Sequence, residues 1–198
     1  MIYKRVRLFV LFILVLFFSG CSYNYEKEII ENSKNYPEII ISAKSLIVNK
    51  DSLMDASNNN NNDDIRKINS KLIDEFEFWL YKKFELRGNE NEASIKVQLA
   101  ESNLIQTKNK TLFKPFLLYK EEVIEINLDF YLMIEKKAYF KNKLQINSSL
   151  TFSLHDNMSL FKREKFINAA IKKLIKEIDY KVNKDLRSNS FKEVIKVN

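Results

Sequence analysis

The chain has 198 residues, 45% hydrophobic and 13% aromatic, enough for the core of one domain and too many for a largely disordered protein. Its formal net charge is +7, and removing the three cations of the first twenty residues leaves about +4, a mild and dispersed bias that argues against nucleic acid as a partner. One cysteine excludes an internal disulfide, and with one histidine it cannot supply the three or four nitrogen and sulfur ligands of a zinc site.

The first twenty residues differ from the rest. Lys4, Arg5 and Arg7 form a positive start, and Leu8 to Phe18 is an unbroken apolar run. Ser19 and Gly20 follow, small enough to enter a peptidase site, and then Cys21. A short apolar run closing on small residues reads as a secretory signal, and it is shorter than the ~20 residues a spanning helix needs. With Cys21 directly after it, the segment resembles a bacterial lipobox. That resemblance implies that the Cys21 thiol takes a diacylglycerol and its freed amine a third acyl chain, the lipids then anchoring the chain to a membrane. Phe18 departs from the pattern, in which Leu is usual three residues before the cysteine. By lipoprotein sorting rules, Ser22 in place of the Asp of inner-membrane retention implies the outer membrane, periplasmic leaflet.

Residues 1–20 are therefore expected to be a signal peptide, 21–36 a lipidated tether, 37–188 the folded domain and 189–198 a flexible tail. Glu38 to Val48, rich in Ile and Val, reads as a first strand. Asp51 to Asn62 reads as a loop ending in five asparagines, to which no function is assigned. Ile65, Ile68, Leu72, Phe76, Trp79, Leu80 and Phe84 recur at the spacing of one helical face. Asp63 or Asp64 is the expected amino-terminal cap, with Arg87 and a left-handed Gly88 as the stop.

Three strands come next. The first pairs Ala93, Ile95, Val97 and Leu99 on one face against Ser94, Lys96, Gln98 and Ala100 on the other. The second sets Ile124, Ile126, Leu128, Phe130, Leu132 and Ile134 against Glu125, Asn127, Asp129, Tyr131, Met133 and Glu135. The third, from Phe140 to Leu154, alternates in the same way, with a reversal at Lys136 and Lys137 between the two. A long helix from about Leu160 to Arg187 carries Phe166, Ile167, Ala170, Ile171, Leu174, Ile178, Val182 and Leu186 as its apolar stripe, with Ser159 as cap. The order β-α-β-β-β-α predicts an α+β two-layer sandwich, both helices on one face of a four-stranded, largely antiparallel sheet.

Signals for chemistry are sparse. His155 beside Asp156 has Ser153 and Ser159 nearby in sequence, but the elbow motif of serine hydrolases is absent, and the expected role is an exposed strand-end imidazole. Glu121, Glu122, Glu125 and Asp129 lack the glycine-bearing loop of a calcium site, and with two glycines in the whole chain there is no phosphate cradle. The expectation is no catalytic, metal or cofactor residue. Two surfaces remain as candidate partner contacts. One is the apolar loop from Thr111 to Tyr119 with Phe113 and Phe116, whose alternative fate is to fold back over the core. The other is the polar sheet face of Lys96, Gln98, Asp129, Tyr131, Met133, Lys143, Gln145, Asn147, Ser149 and Thr151, where Tyr131 and Met133 are out of place for solvent alone.

From Trp79 to Arg187 the chain is also similar to a family of small uncharacterised lipoproteins of alphaproteobacteria. The likeness rests on Trp79 with Leu86, Arg87 and Gly88, the run Ala100 to Leu104, Tyr119, and the run Ser159 to Glu164. In element order it is similar to the lipopolysaccharide-assembly lipoprotein that plugs an outer-membrane barrel, and it invites comparison with the auxiliary lipoproteins of lipid-transport ABC systems. These likenesses imply a non-enzymatic accessory protein of envelope assembly or lipid transport, held to the membrane by its lipid and meeting a barrel or transport complex. A structural envelope lipoprotein, or a small-ligand binder with a pocket between sheet and helices, is the alternative; a hydrolase built on a carboxylate pair comes third.

Overall fold

The computed structural model describes residues 39–49, 62–89, 91–112, 117–136, 140–187, 191 and 195–197. The signal segment, the tether with Cys21, and Phe113 and Phe116 lie outside the described residues. In chain order the elements are β1 (Ile39–Ile41), β2 (Ser45–Asn49), α1 (Asp63–Lys83), β3 (Phe84–Leu86), β4 (Asn91–Leu112), β5 (Leu117–Lys136), β6 (Phe140–His155), α2 (Leu160–Leu186) and β7 (Ile195–Val197).

The long alternating segments form the main sheet, in the order β2-β4-β5-β6. β2 pairs parallel with β4, and the other two pairings are antiparallel. The predicted reversal is present, with Lys136 opposite Phe140. Both helices lie on one face of this sheet, as the periodicity required. The stripe Ile65, Ile68, Leu72, Phe76, Trp79 and Leu80 of α1 is buried, and so are Ala170, Ile171, Leu174, Ile175, Ile178, Val182 and Leu186 of α2. They meet the inner residues of β5, Ile124 to Ile134, in one core. At its centre Phe76 stacks near Trp79 (ring centroids 5.6 Å) and tilts against Phe130 (5.1 Å), while Trp79 meets Phe84 edge-on (6.0 Å). Each such ring removes 150–250 Å² from water and adds about 0.5–1.5 kcal/mol per ring pair beyond burial.

Several local expectations are corrected. The first strand is not continuous. The chain bends at Ser42–Lys44, so that β1 joins a second, three-stranded sheet of order β3-β1-β7, and β2 joins the main one. The bend is fastened by three hydrogen bonds: Arg87 N–H donates to the Ile41 carbonyl (2.9 Å), Lys44 N–H to the Asn91 carbonyl (2.7 Å), and the Asn91 amide to the Ser42 carbonyl (2.5 Å). Gly88 does not end the helix. α1 stops at Lys83, and the chain passes at once into β3. Gly88 is needed because a Cβ there would sit 2.5 Å from the Ser42 carbonyl carbon and 2.6 Å from Ala43 N. The cap of α1 is Asn62, the last residue of the asparagine tract, whose side chain accepts from Asp64 N–H at 2.9 Å; Asp63 and Asp64 fill the first turn instead. Ser159 caps α2 as expected, accepting from Lys162 N–H at 3.4 Å.

β4 also runs further than its apolar pattern. It continues to Leu112 opposite Leu117, so most of the predicted 111–119 loop is the end of a β-hairpin. A bulge between Val97 and Leu99 reverses the phase of the pleat. Ala100 is therefore buried in the core, and Leu99 lies opposite the outward-facing Asp129. The outer edge of β4 is covered by α1: Asn69, fully buried, accepts from both the backbone N–H and the hydroxyl of Ser102. On α2, Phe166 is 36% exposed and does not belong to the buried stripe. The carboxyl-terminal residues, expected to fray, contain buried Phe191 and β7, which pairs antiparallel with β1.

Candidate functional site

The helices cover one face of the main sheet and leave the other open. Because β4, β5 and β6 are antiparallel, their outward residues fall into rows: Ser94–Met133–Lys143, Lys96–Tyr131–Gln145, Leu99–Asp129–Asn147 and Glu101–Asn127–Ser149. Cross-strand neighbours of this kind have Cβ atoms about 5 Å apart, close enough to interact directly. Lys143 Nζ stands 4.0 Å from the centre of the Tyr131 ring, a cation–π contact. The Gln145 amide donates to Gln98 Oε1 at 3.4 Å, across β5. With its amide turned so that the nitrogen donates, Asn147 reaches Asp129 Oδ1 at 2.7 Å.

The face is thus a polar lattice around a half-buried strip of Leu99, Tyr131 and Met133. Tyr131 and Met133 stand side by side on β5 in the middle of the sheet. Leu99 joins them only because the bulge turned it outward, so its place here was not legible from strict alternation. A rigid platform with an aromatic ring, a thioether and ordered amide groups suits contact with another protein: the apolar centre supplies area and the polar rim fixes register. The outward residues of β4, β5 and β6 in these rows bring together no nucleophile–base pair.

His155 ends β6 on the outward side, opposite Glu121. Its ring packs edge-on against Tyr119 (centroids 4.9 Å), and its Nδ1 is buried with no hydrogen-bond partner among the described residues. None of the described carboxylates orients the imidazole through Nδ1, the contact a catalytic triad depends on. Among the described residues no group of three His, Cys, Asp or Glu side chains is placed to hold a metal ion, and no helix is long and apolar enough to cross a membrane.

A second polar cluster lies between the helices. Lys83, fully buried, sits 2.7 Å from Asp179 Oδ1 and donates to Asn183 Oδ1 at 2.8 Å. The same Asp179 oxygen accepts from Trp79 Nε1 at 3.0 Å, and Asp179 Oδ2 accepts from the Asn183 amide at 2.9 Å. Burial holds Lys83 below the ordinary lysine range; Asp179 pulls the other way, and the like charge of Arg187 adds to the depression. Every polar group named here has a partner within the cluster, so it works as a clasp between α1 and α2 and not as an open site. Sequence reasoning missed it, although a signal was present: Lys83 is four residues after Trp79, and Asp179 four after Ile175, both on the buried stripes. At the amino-terminal ends of the helices, Arg163 of α2 bridges Glu122 of β5 (2.6 Å) and Asp64 of α1 (3.1 Å).

No protein-family profile and no curated protein matches the sequence. Among solved structures, a minor lipoprotein from Acinetobacter baumannii is similar at 12% identity and a TM-score of 0.39, over 76% of this chain and 94% of that one. Rare lipoprotein B from Shewanella oneidensis is similar at 9% identity and a TM-score of 0.30, over 71% of this chain and 97% of that one. Both are bacterial lipoproteins. At such scores the likeness is loose and carries neither fold nor function over to this chain.

Proposed function

We propose that this chain is a bacterial lipoprotein, acylated at Cys21 and held at the periplasmic leaflet of the outer membrane, whose sandwich is a non-enzymatic binding module for a protein partner in envelope assembly or lipid transport. The observation that carries the reading is the leader itself: Lys4, Arg5 and Arg7, the apolar run Leu8 to Phe18, and Ser19-Gly20 directly before the chain's single cysteine. Three acyl chains anchor far more firmly than the marginal hold of one. A tethered domain then meets partners at the same membrane with a raised effective concentration, without needing new contacts. The open sheet face with Leu99, Tyr131 and Met133 is the surface that partner would use.

Two measurements test this. Metabolic labelling with a clickable palmitate should mark the wild-type chain and fail on Cys21→Ser; labelling that survives the change removes the lipoprotein reading. A photo-crosslinking residue in place of Tyr131 should capture a discrete envelope protein in cells. An equal yield from a crosslinker at Ser70, on the exposed side of α1, would show that the sheet face is not the partner site.

A further inference from the structure

The outward side of α2 has an arrangement that the binding module does not use. At 3.6 residues per turn, Lys162, Lys173, Lys176, Tyr180 and Lys184 fall within about 40° of one line along the helix. That line is about 33 Å long from Lys162 to Lys184 at 1.5 Å per residue. Tyr180, 69% exposed, lies on it, whereas the exposed Leu160 and Phe161 of the first turn point about 160° and 100° away from it by the same spacing. One of the four acids of α2, Glu177, lies beside the line and is felt by Lys173; the other three point elsewhere or are engaged. Glu164 reaches across to Lys71 of α1 (2.7 Å), Glu177 is held by Lys181 (2.7 Å), Asp179 is buried in the clasp, and Asp185 points about 140° away from Tyr180 by helical spacing.

We propose that this face of α2 docks on the surface of a bilayer containing anionic phospholipid, with the lysines among the headgroups and the Tyr180 ring at the interface. The apolar stripe of α2 is packed against the sheet, so the lysines, drawn to an anionic surface, and the Tyr180 ring carry this contact. Four lysines along one straight helix face, with Phe166, Ala169 and Tyr180 between them, match a flat anionic surface that all four can reach together. The inference rests on the lipoprotein reading for its proximity to a membrane. The 17 residues between Cys21 and Ile39 reach at most about 60 Å, enough for either end of α2 to touch the bilayer that holds the anchor. Since the helices and the open sheet face are on opposite sides of the sandwich, docking through α2 turns Tyr131 and Met133 away from the membrane, toward a partner.

The test uses the full chain carrying Tyr180→Trp, on the line itself, added to vesicles with brominated acyl chains, made either of phosphatidylcholine alone or of phosphatidylcholine with phosphatidylglycerol. Trp79 is buried and supplies a constant background. Quenching of the new tryptophan should appear with phosphatidylglycerol only and vanish at high salt. Each lysine near an anionic surface raises affinity about fivefold, so Lys173→Gln, Lys176→Gln and Lys184→Gln together should weaken the interaction by about a hundredfold. The same number of changes elsewhere, at the exposed Lys44→Gln, Lys108→Gln and Lys120→Gln, should leave quenching unchanged. Equal quenching in both vesicle types, no quenching in either, or equal losses from the two triple variants would overturn the proposal. Flotation with pure phosphatidylcholine vesicles reads the lipid anchor separately. A chain that fails to float there yet shows phosphatidylglycerol-dependent quenching refutes the anchor and keeps the docking face.

Discussion

Asp179→Ala removes the carboxylate that Lys83, Trp79 and Asn183 share. Lys83 is then a buried cation with no counter-charge, and Trp79 Nε1 loses the acceptor 3.0 Å away. Removing one partner of a buried ion pair costs about 3–5 kcal/mol, because the remaining charge stays desolvated. The orphaned indole N–H costs about 1–3 kcal/mol by itself, a smaller effect than the unpaired lysine. Against a domain stability of about 5–15 kcal/mol, this is a large fraction. The double variant Lys83→Met with Asp179→Leu should cost much less than Asp179→Ala, since apolar side chains of similar size leave no charge behind. Urea unfolding followed by the emission of Trp79, the sole tryptophan, measures both. A loss below about 1 kcal/mol for Asp179→Ala, the value of an exposed pair, would refute the clasp and place Lys83 in water.

Asn69→Ala should destabilise by about 1–3 kcal/mol, because the Ser102 backbone N–H on the edge of β4 loses its acceptor beneath α1; a shift in the urea midpoint reads it. Gly88→Ala should cost about 1–3 kcal/mol through overpacking against the Ser42–Ala43 backbone, and an unchanged midpoint would mean that the bend yields. The hydrogen bonds from Lys71 to Glu164 and from Lys181 to Glu177 hold both carboxyls below the ordinary carboxylate range. Their contribution is fully present above the unfolded values and is lost as pH falls through the lowered ones, so Glu164→Gln should flatten the acid limb of a stability–pH profile. Lys83 is depressed in the folded state, so the unfolded chain binds the extra proton between the depressed value and 10.5; stability from this group rises with pH across that window, and Lys83→Met should remove the rise.

Periodicity carried the architecture. A repeat of two in β5 and β6 and a repeat of three and four in α1 and α2 require one apolar face per element, and the only way to hide all four is to lay the helices on one side of the sheet. Ser159 before α2 and the reversal at Lys136 were equally legible, because capping and turn chemistry act over a few residues. Tyr131 and Met133 could be picked out for the same reason: a residue's side of a strand follows from its parity.

Other features depended on contacts between segments distant in sequence. The bend at Ser42 exists because Gly88 and Asn91 approach it, and no local propensity of Ser-Ala-Lys encodes that meeting. The bulge after Val97 reverses parity without leaving a mark in the alternation, and so exchanges Leu99 with Ala100. Lys83 and Asp179 each fall on a buried stripe, but nothing local shows that they pair until two helices, joined through four intervening strands, bring them to 2.7 Å. Sequence by itself determined which faces are greasy and where elements start and stop, because those follow from local geometry and the aversion of apolar surface to water. The tertiary structure alone decided which polar groups became buried partners and which lysines were left in line on the outer side of α2, because a charge's environment is set by what packs against it.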